Sequence, residues 1–158
     1  MPSTHKRVIV RKFSRDTLSG YVAPSAFVSD GKLELLNTSG NLVFVDLKEI
    51  KSVFFVRDFT DAEFTRKTFT SRPRTEGLWV RLKFKDNDLL EGLMPNDLTQ
   101  ITSDGYLLNP PDTRGNVQRI FVPRTALQSL NVLAVIGGPQ TRRRPAKDEA
   151  AQPELFTE

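Results

Sequence analysis

Apolar and polar residues alternate along this chain in short runs with a period close to two, separated by Gly, Pro, Asn or Asp, the pattern of short β-strands and turns. Val8, Val10 and Phe13 mark a first strand over 7–13, and Ser14-Arg15-Asp16 a turn. Leu18–Val22 returns, with Gly20 where a side chain would crowd a bend, and Pro24 ends it. Gly31 opens Lys32–Leu36, Asn37-Thr-Ser-Gly-Asn41 makes a hairpin turn, and Leu42–Leu47 runs back. Leu47–Ile50 suits a single helical turn before a fifth strand, Lys51–Val56. A second series reads the same way: Leu78–Lys85, a turn at Asp86–Asp88, Leu89–Met94 bent at Gly92, Tyr106–Asn109 after Asp104-Gly105, a longer turn at Pro110–Asn116, Gln118–Val122, a short turn at Arg124–Leu127, and Leu130–Val135.

The two series fall in step. Val8-Ile-Val-Arg-Lys-Phe13 aligns with Val80-Arg-Leu-Lys-Phe84, and Val45, Ile50, Ser52 and Val53 align without a gap on Val122, Leu127, Ser129 and Leu130. Five short strands per series and no long helical period predict an all-β protein of two tandem five-stranded small barrels. The expected organisation is a flexible lead at 1–6, a barrel at 7–57, a connector at 58–77, a second barrel at 78–136 and a disordered tail at 137–158. In the connector Phe59, Phe64 and Phe69 recur at a spacing that fits neither helix nor strand, and Ala62–Thr68 is compatible with one short helix. Trp79 and this Phe-rich connector are expected to pack the barrels together. The copies agree at core positions and differ at polar ones, so function is expected in the unduplicated parts: the connector, the Arg-rich second hairpin and the tail.

Composition narrows the chemistry. The chain of 158 residues has no cysteine and one histidine, His5, which removes disulfides, thiolate sites and zinc sites built on imidazole or thiolate. Lack of cysteine fits a reducing compartment. No apolar run approaches the roughly 20 residues of a membrane-spanning helix, and the N-terminus lacks the apolar core of a secretory signal, so a soluble cytoplasmic protein is expected. No nucleophile–base pair, Gly-x-Ser-x-Gly or phosphate-cradling loop is present. The acidic pairs Asp86/Asp88 and Asp58/Asp61 lie in expected turns and read as solvated turn residues. These points predict a protein without catalysis and without a cofactor.

The pattern in Val80-Arg-Leu-Lys-Phe-Lys-Asp-Asn-Asp-Leu-Leu-Glu-Gly92 resembles the first strand pair of the Sm-like small barrel. That resemblance implies a five-stranded barrel and, by extension, RNA binding. The nucleotide-contacting Arg-Gly or Lys-Gly step of that family is replaced here by Asp46-Leu47 and Arg124-Thr125. Residues 7–139 also resemble an uncharacterised bacterial family through Val56-Arg-Asp-Phe59, Arg72-Pro-Arg-Thr-Glu-Gly-Leu-Trp-Val-Arg81, Leu90-Glu-Gly92 and Arg119-Ile-Phe-Val-Pro-Arg124. A weaker likeness is to the PilZ barrel, whose Arg-x-x-x-Arg motif meets Arg11–Arg15 and which implies a cyclic dinucleotide.

The net charge of +4 is mild, so basic clusters carry more weight than the total. Around the connector stand Arg66, Lys67, Arg72 and Arg74, interleaved with Phe64 and Phe69 but diluted by Asp58, Asp61, Glu63 and Glu76. Arginine beside exposed aromatics grips single-stranded nucleic acid; the same phenylalanines otherwise plug the barrels. Arg114, Arg119 and Arg124 flank the second hairpin, with Phe121 on the face of Arg119 if Ile120 and Val122 point inward. That face is a binding patch, a salt-bridged exterior or the seam between the barrels. In the tail, Gln152-Pro-Glu-Leu-Phe156 resembles the bacterial sliding-clamp-binding peptide in Gln152, Leu155 and Phe156, and Arg142–Arg144 with Lys147 forms a basic cluster. The expected function is an adaptor with a protein partner, self-association through strand edges included. RNA or single-stranded DNA is the first alternative and a cyclic dinucleotide the second.

Overall fold

A computed structural model describes residues 5–59, 67–100, 104–112 and 114–137. These residues form eleven strands: β1 (Lys6–Lys12), β2 (Thr17–Val22), β3 (Val28–Ser29), β4 (Lys32–Asn37), β5 (Leu42–Asp46), β6 (Ile50–Val56), β7 (Gly77–Phe84), β8 (Leu89–Met94), β9 (Gly105–Leu108), β10 (Val117–Pro123) and β11 (Leu127–Ile136). Single 3₁₀ turns at Leu47–Glu49, Leu98–Gln100 and Arg124–Ala126 are the helical elements among the described residues. None is long and apolar enough to cross a membrane.

The protein is all-β, as the alternation predicts, and its strands make two open sheets. The larger runs β3-β4-β2-β1-β6-β10-β9, with β5 also on β4; the smaller runs β11-β7-β8. The decisive pairing is β6 with β10, antiparallel, with Val53 opposite Phe121, Phe54 opposite Ile120 and Phe55 opposite Arg119. It carries the larger sheet across the expected division at 58–77. A single bridge, Leu93 to Asn109, links β8 with the end of β9 through reciprocal N–H to carbonyl bonds of 3.0 and 2.9 Å.

Strand β6 explains why the two halves cohere. Its sequence, Ile-Lys-Ser-Val-Phe-Phe-Val, is buried from Ser52 to Val56, so successive side chains feed opposite faces. Val53 and Phe55 enter a core with Val8, Val10, Val22, Leu33, Leu35, Val45 and Ile50. Phe54 and Val56, with Ile9, enter the other core, beside Val80, Leu82, Phe84, Leu90, Leu108, Ile120 and Val122. Phe121 of β10 joins the first core in turn, so each core borrows residues from the far half of the chain.

Local chemistry sets the turns. Asn37 Oδ1 accepts from the amides of Ser39 and Asn41 at 3.0 and 2.9 Å, and Gly40 takes φ 89°, the left-handed region open to glycine. Gly20 is required by space: a Cβ there would stand 2.5 Å from the Leu36 carbonyl oxygen. The helical turn expected near Leu47 is present at Leu47–Glu49, opened by Asp46, whose carboxylate accepts from the Lys48 amide at 3.0 Å. The short helix considered for Ala62–Thr68 and the tail beyond Gly137 fall almost wholly outside the described residues.

Candidate functional site

The connector re-enters the described structure at Lys67 and lies against β8. The Glu91 amide donates to the Lys67 carbonyl at 2.6 Å. Glu91 itself is buried, an unusual place for a carboxylate unless its oxygens are satisfied. They are: Oε1 accepts from the Phe69 amide at 3.1 Å and from Trp79 Nε1 at 3.2 Å, and Oε2 accepts from Arg81 Nε and Nη2 at 3.3 and 3.0 Å. Burial by itself pushes the Glu91 carboxyl up, but the Phe69 amide, the Arg81 guanidinium and the Trp79 indole together hold it below its ordinary value. Phe69 meets Trp79 edge to face, ring centres 5.9 Å apart. Trp79 therefore anchors the connector onto β7 and β8. The seam between the two halves, where it was expected, is built instead from β6 and β10.

Beyond this anchor, Thr70 to Thr75 forms one wall of an open cleft of about 630 Å³. Arg72 and Arg74 line it with Pro73, facing Asn109, Pro110, Pro111 and Gln118, with Leu93 in the lining. Both arginines are exposed, and neither makes an ion pair with a described residue. Two guanidinium groups in a lining that mixes prolines with threonine, serine, asparagine and glutamine suit an anionic or extended chain.

The other sequence-selected residues do not gather here. Lys67 is exposed and reaches Asp88 at 3.4 Å. Arg114 is exposed and stands 3.7 Å from Asp112. Arg119 and Arg124 are exposed on β10 and the turn after it; the Arg124 amide donates to the Asp104 carbonyl at 2.9 Å. Phe121 is buried, meeting Phe27 edge to face with ring centres 5.0 Å apart. It belongs to the seam, not to an exposed patch beside Arg119, because β10 turns that face toward the first core when it joins β6. Arg66, Gln152, Leu155 and Phe156 lie outside the described residues.

The acidic turn has a partner that sequence did not indicate. Lys51 Nζ donates to Asp86 at 2.8 Å and to Asp88, and it lies 5.2 Å from the centre of the Phe84 ring. This ties β6 to the β7–β8 turn. Among the described residues no three His, Cys, Asp or Glu side chains converge as a metal site would need.

Two strand edges stand out as surfaces. Among the described residues β5 pairs only with β4, and β11 only with β7. Leu42 and Phe44 on β5 are exposed, as are Val132, Leu133 and Val135 on β11. Sequence reasoning passed over them, although a signal existed. Leu42-Val-Phe-Val45 and Val132-Leu-Ala-Val-Ile136 are apolar on both faces, and such strands are ordinarily covered on both sides.

An all-β protein of short strands in two linked open sheets, with apolar sheet edges and an arginine-lined cleft, is the class of molecule defined so far. The chain belongs to a family of unknown function, DUF6982, which matches residues 4–134. No curated protein and no solved structure matches it.

Proposed function

We propose that the chain is a non-catalytic adaptor acting through protein–protein contact, built as two tandem five-stranded small barrels of Sm-like plan that share a sheet. The observation that carries this reading is the pair of edges, β5 and β11, each with an outer side that pairs with no described strand and with apolar side chains turned to solvent. Such an edge binds an extended segment through main-chain hydrogen bonds, and the flanking apolar side chains add affinity and register. The barrel plan is supported by parallel wiring in the two halves. β6 returns onto β1 after a 3₁₀ turn, and β11 onto β7 after another. Arg15 and Asn87 take φ 77° and 73° in the turns that end β1 and β7. A cysteine-free composition suits the reducing cytoplasm.

A photo-cross-linking residue at position 44 or 132, introduced in living cells, tests the reading. Protein adducts at those two positions, and none at position 72, are the expected result. Adducts to nucleic acid, or protein adducts confined to position 72, would end it.

A second reading, single-stranded nucleic acid, is favoured by the Arg72–Arg74 cleft. It requires binding of an RNA or DNA oligonucleotide that weakens steeply with salt and is lost when Arg72 and Arg74 become Ala. Absence of binding in low salt removes it.

A further inference from the structure

The β6–β10 seam is a worked example of how an edge of this protein is covered. On its two strands Phe121 is 5% exposed and Phe55 7%. The strand that occupies the place of β10 in the first half is β5: it precedes the 3₁₀ turn and carries Phe44 where β10 carries Phe121. The strand in the place of β6 is β11: it follows the 3₁₀ turn Arg124–Ala126 and carries Val132 where β6 carries Phe55. These correspondences follow from the gapless alignment of Val45 with Val122 and Ser52 with Ser129. Phe44 is 56% exposed and Val132 52%. The same two positions are buried where the chain mates its own strands and open where it does not. The chain thus carries both halves of one kind of junction, one half at each end.

We propose that β11 of one copy adds antiparallel to β5 of the next, repeating the β6–β10 seam and assembling the protein head to tail. This rests on the adaptor reading above and names the partner as a second copy. In the internal seam Arg119, Ile120 and Phe121 lie opposite Phe55, Phe54 and Val53. Transferred in step, that register sets Leu42 opposite Val132, Val43 opposite Asn131 and Phe44 opposite Leu130. The exposed Leu42 and Val132 then meet one another, and Phe44 passes from solvent into the place that corresponds to Phe121 in the internal seam, opposite Leu130 as Phe121 is opposite Val53. Because the two faces differ, the contact is heterologous: it generates a ring if the rotation closes and a filament if it does not.

The test uses the full chain and two single variants, Phe44→Glu and Val132→Glu, each placing a charge in one edge only. Both positions are exposed, so each variant keeps the wild-type circular dichroism and melting behaviour of a dilute monomer. By light scattering after size exclusion, wild type is larger than a dimer, each variant alone is a monomer, and an equimolar mixture forms a 1:1 heterodimer. That heterodimer joins the intact β11 of Phe44→Glu to the intact β5 of Val132→Glu. The chain has no cysteine, so the register is read without background: a Leu42→Cys copy mixed with a Val132→Cys copy gives a disulfide-linked pair on oxidation. A wild-type chain that stays monomeric at every concentration overturns the proposal, as does a homodimer of either glutamate variant, which indicates like-on-like edge pairing. Monomeric wild type together with cross-links from positions 44 and 132 to a different protein overturns self-assembly while leaving the adaptor reading in place.

Discussion

Trp79 and Glu91 lie diagonally across the β7–β8 pair, the indole N–H donating to the buried carboxylate at 3.2 Å, and the same oxygen takes the Phe69 amide. One acidic side chain therefore binds the connector to the sheet. Glu91→Ala leaves the indole and the Phe69 amide without an acceptor and lowers stability by about 2–4 kcal/mol. Glu91→Gln keeps one acceptor and costs about 1–2 kcal/mol. Urea unfolding of the two variants beside wild type measures both values, and the larger loss belongs to Ala.

The same carboxylate makes stability depend on acid. Its folded-state value is held below the ordinary 4.5 by its donors, so ionised Glu91 stabilises the fold above that pH. The contribution is lost as pH falls through the lower folded value. Asp86 and Asp88 are also held down by Lys51 and act in the same direction. Wild type is therefore expected to lose more stability than Glu91→Gln between about pH 5 and pH 3, and the difference isolates Glu91. Parallel curves for the two proteins would contradict the assignment.

Lys51 joins the halves through Asp86 and Asp88. Burial alone would push its ammonium down, but the two carboxylates outweigh this and raise it above 10.5. Its contribution is present below that pH and disappears as pH rises through the folded value. The carboxylates are about two-fifths exposed, so screening is strong, and Lys51→Met is expected to cost about 1 kcal/mol in low salt and less in high salt. Thermal melts at two ionic strengths check this.

Phe121 and Phe44 hold corresponding places and have opposite exposures. Phe121→Ala opens a cavity in the seam between Phe27 and the first core, and about 3–5 kcal/mol of stability goes with it. Phe44→Ala in the dilute monomer changes stability by less than about 0.5 kcal/mol. Equal losses at the two positions would show that β5 is already covered within a single chain.

Among the glycines, Gly20→Ala drives a methyl group against the Leu36 carbonyl and is expected to cost about 1–3 kcal/mol. Gly115→Ala meets nothing within 4 Å and is expected to change stability by less than about 0.5 kcal/mol. The contrast in urea midpoints separates a crowded strand crossing from an open turn.

Strand positions and turn chemistry were legible because they depend on neighbours in sequence. The alternation at Val8 and Val10, the Asn37–Asn41 turn and the single helical turn after Asp46 all follow from period and capping over a few residues, whereas the crowding at Gly20 comes from Leu35 and Leu36 on β4. The extra strand Val28–Ser29 was not legible, since two residues carry no period. The roles of Glu91 and Lys51 were hidden because a buried carboxylate and a cross-chain lysine are spelled like any surface pair. The arginines of the second hairpin and of the connector were visible as residue types, but among the described residues only Arg72 and Arg74 of these are brought to one cleft.

By itself, then, the sequence determined the β class of this protein, its strand spacing, its turns and the absence of cysteine chemistry. The tertiary structure alone decided that β6 pairs with β10, that Phe121 is buried while Phe44 is not, and that two apolar edges are left facing solvent. The physical reason is that side-chain periodicity assigns a residue to a face, whereas burial of that face depends on which distant strand supplies the next row of backbone hydrogen bonds.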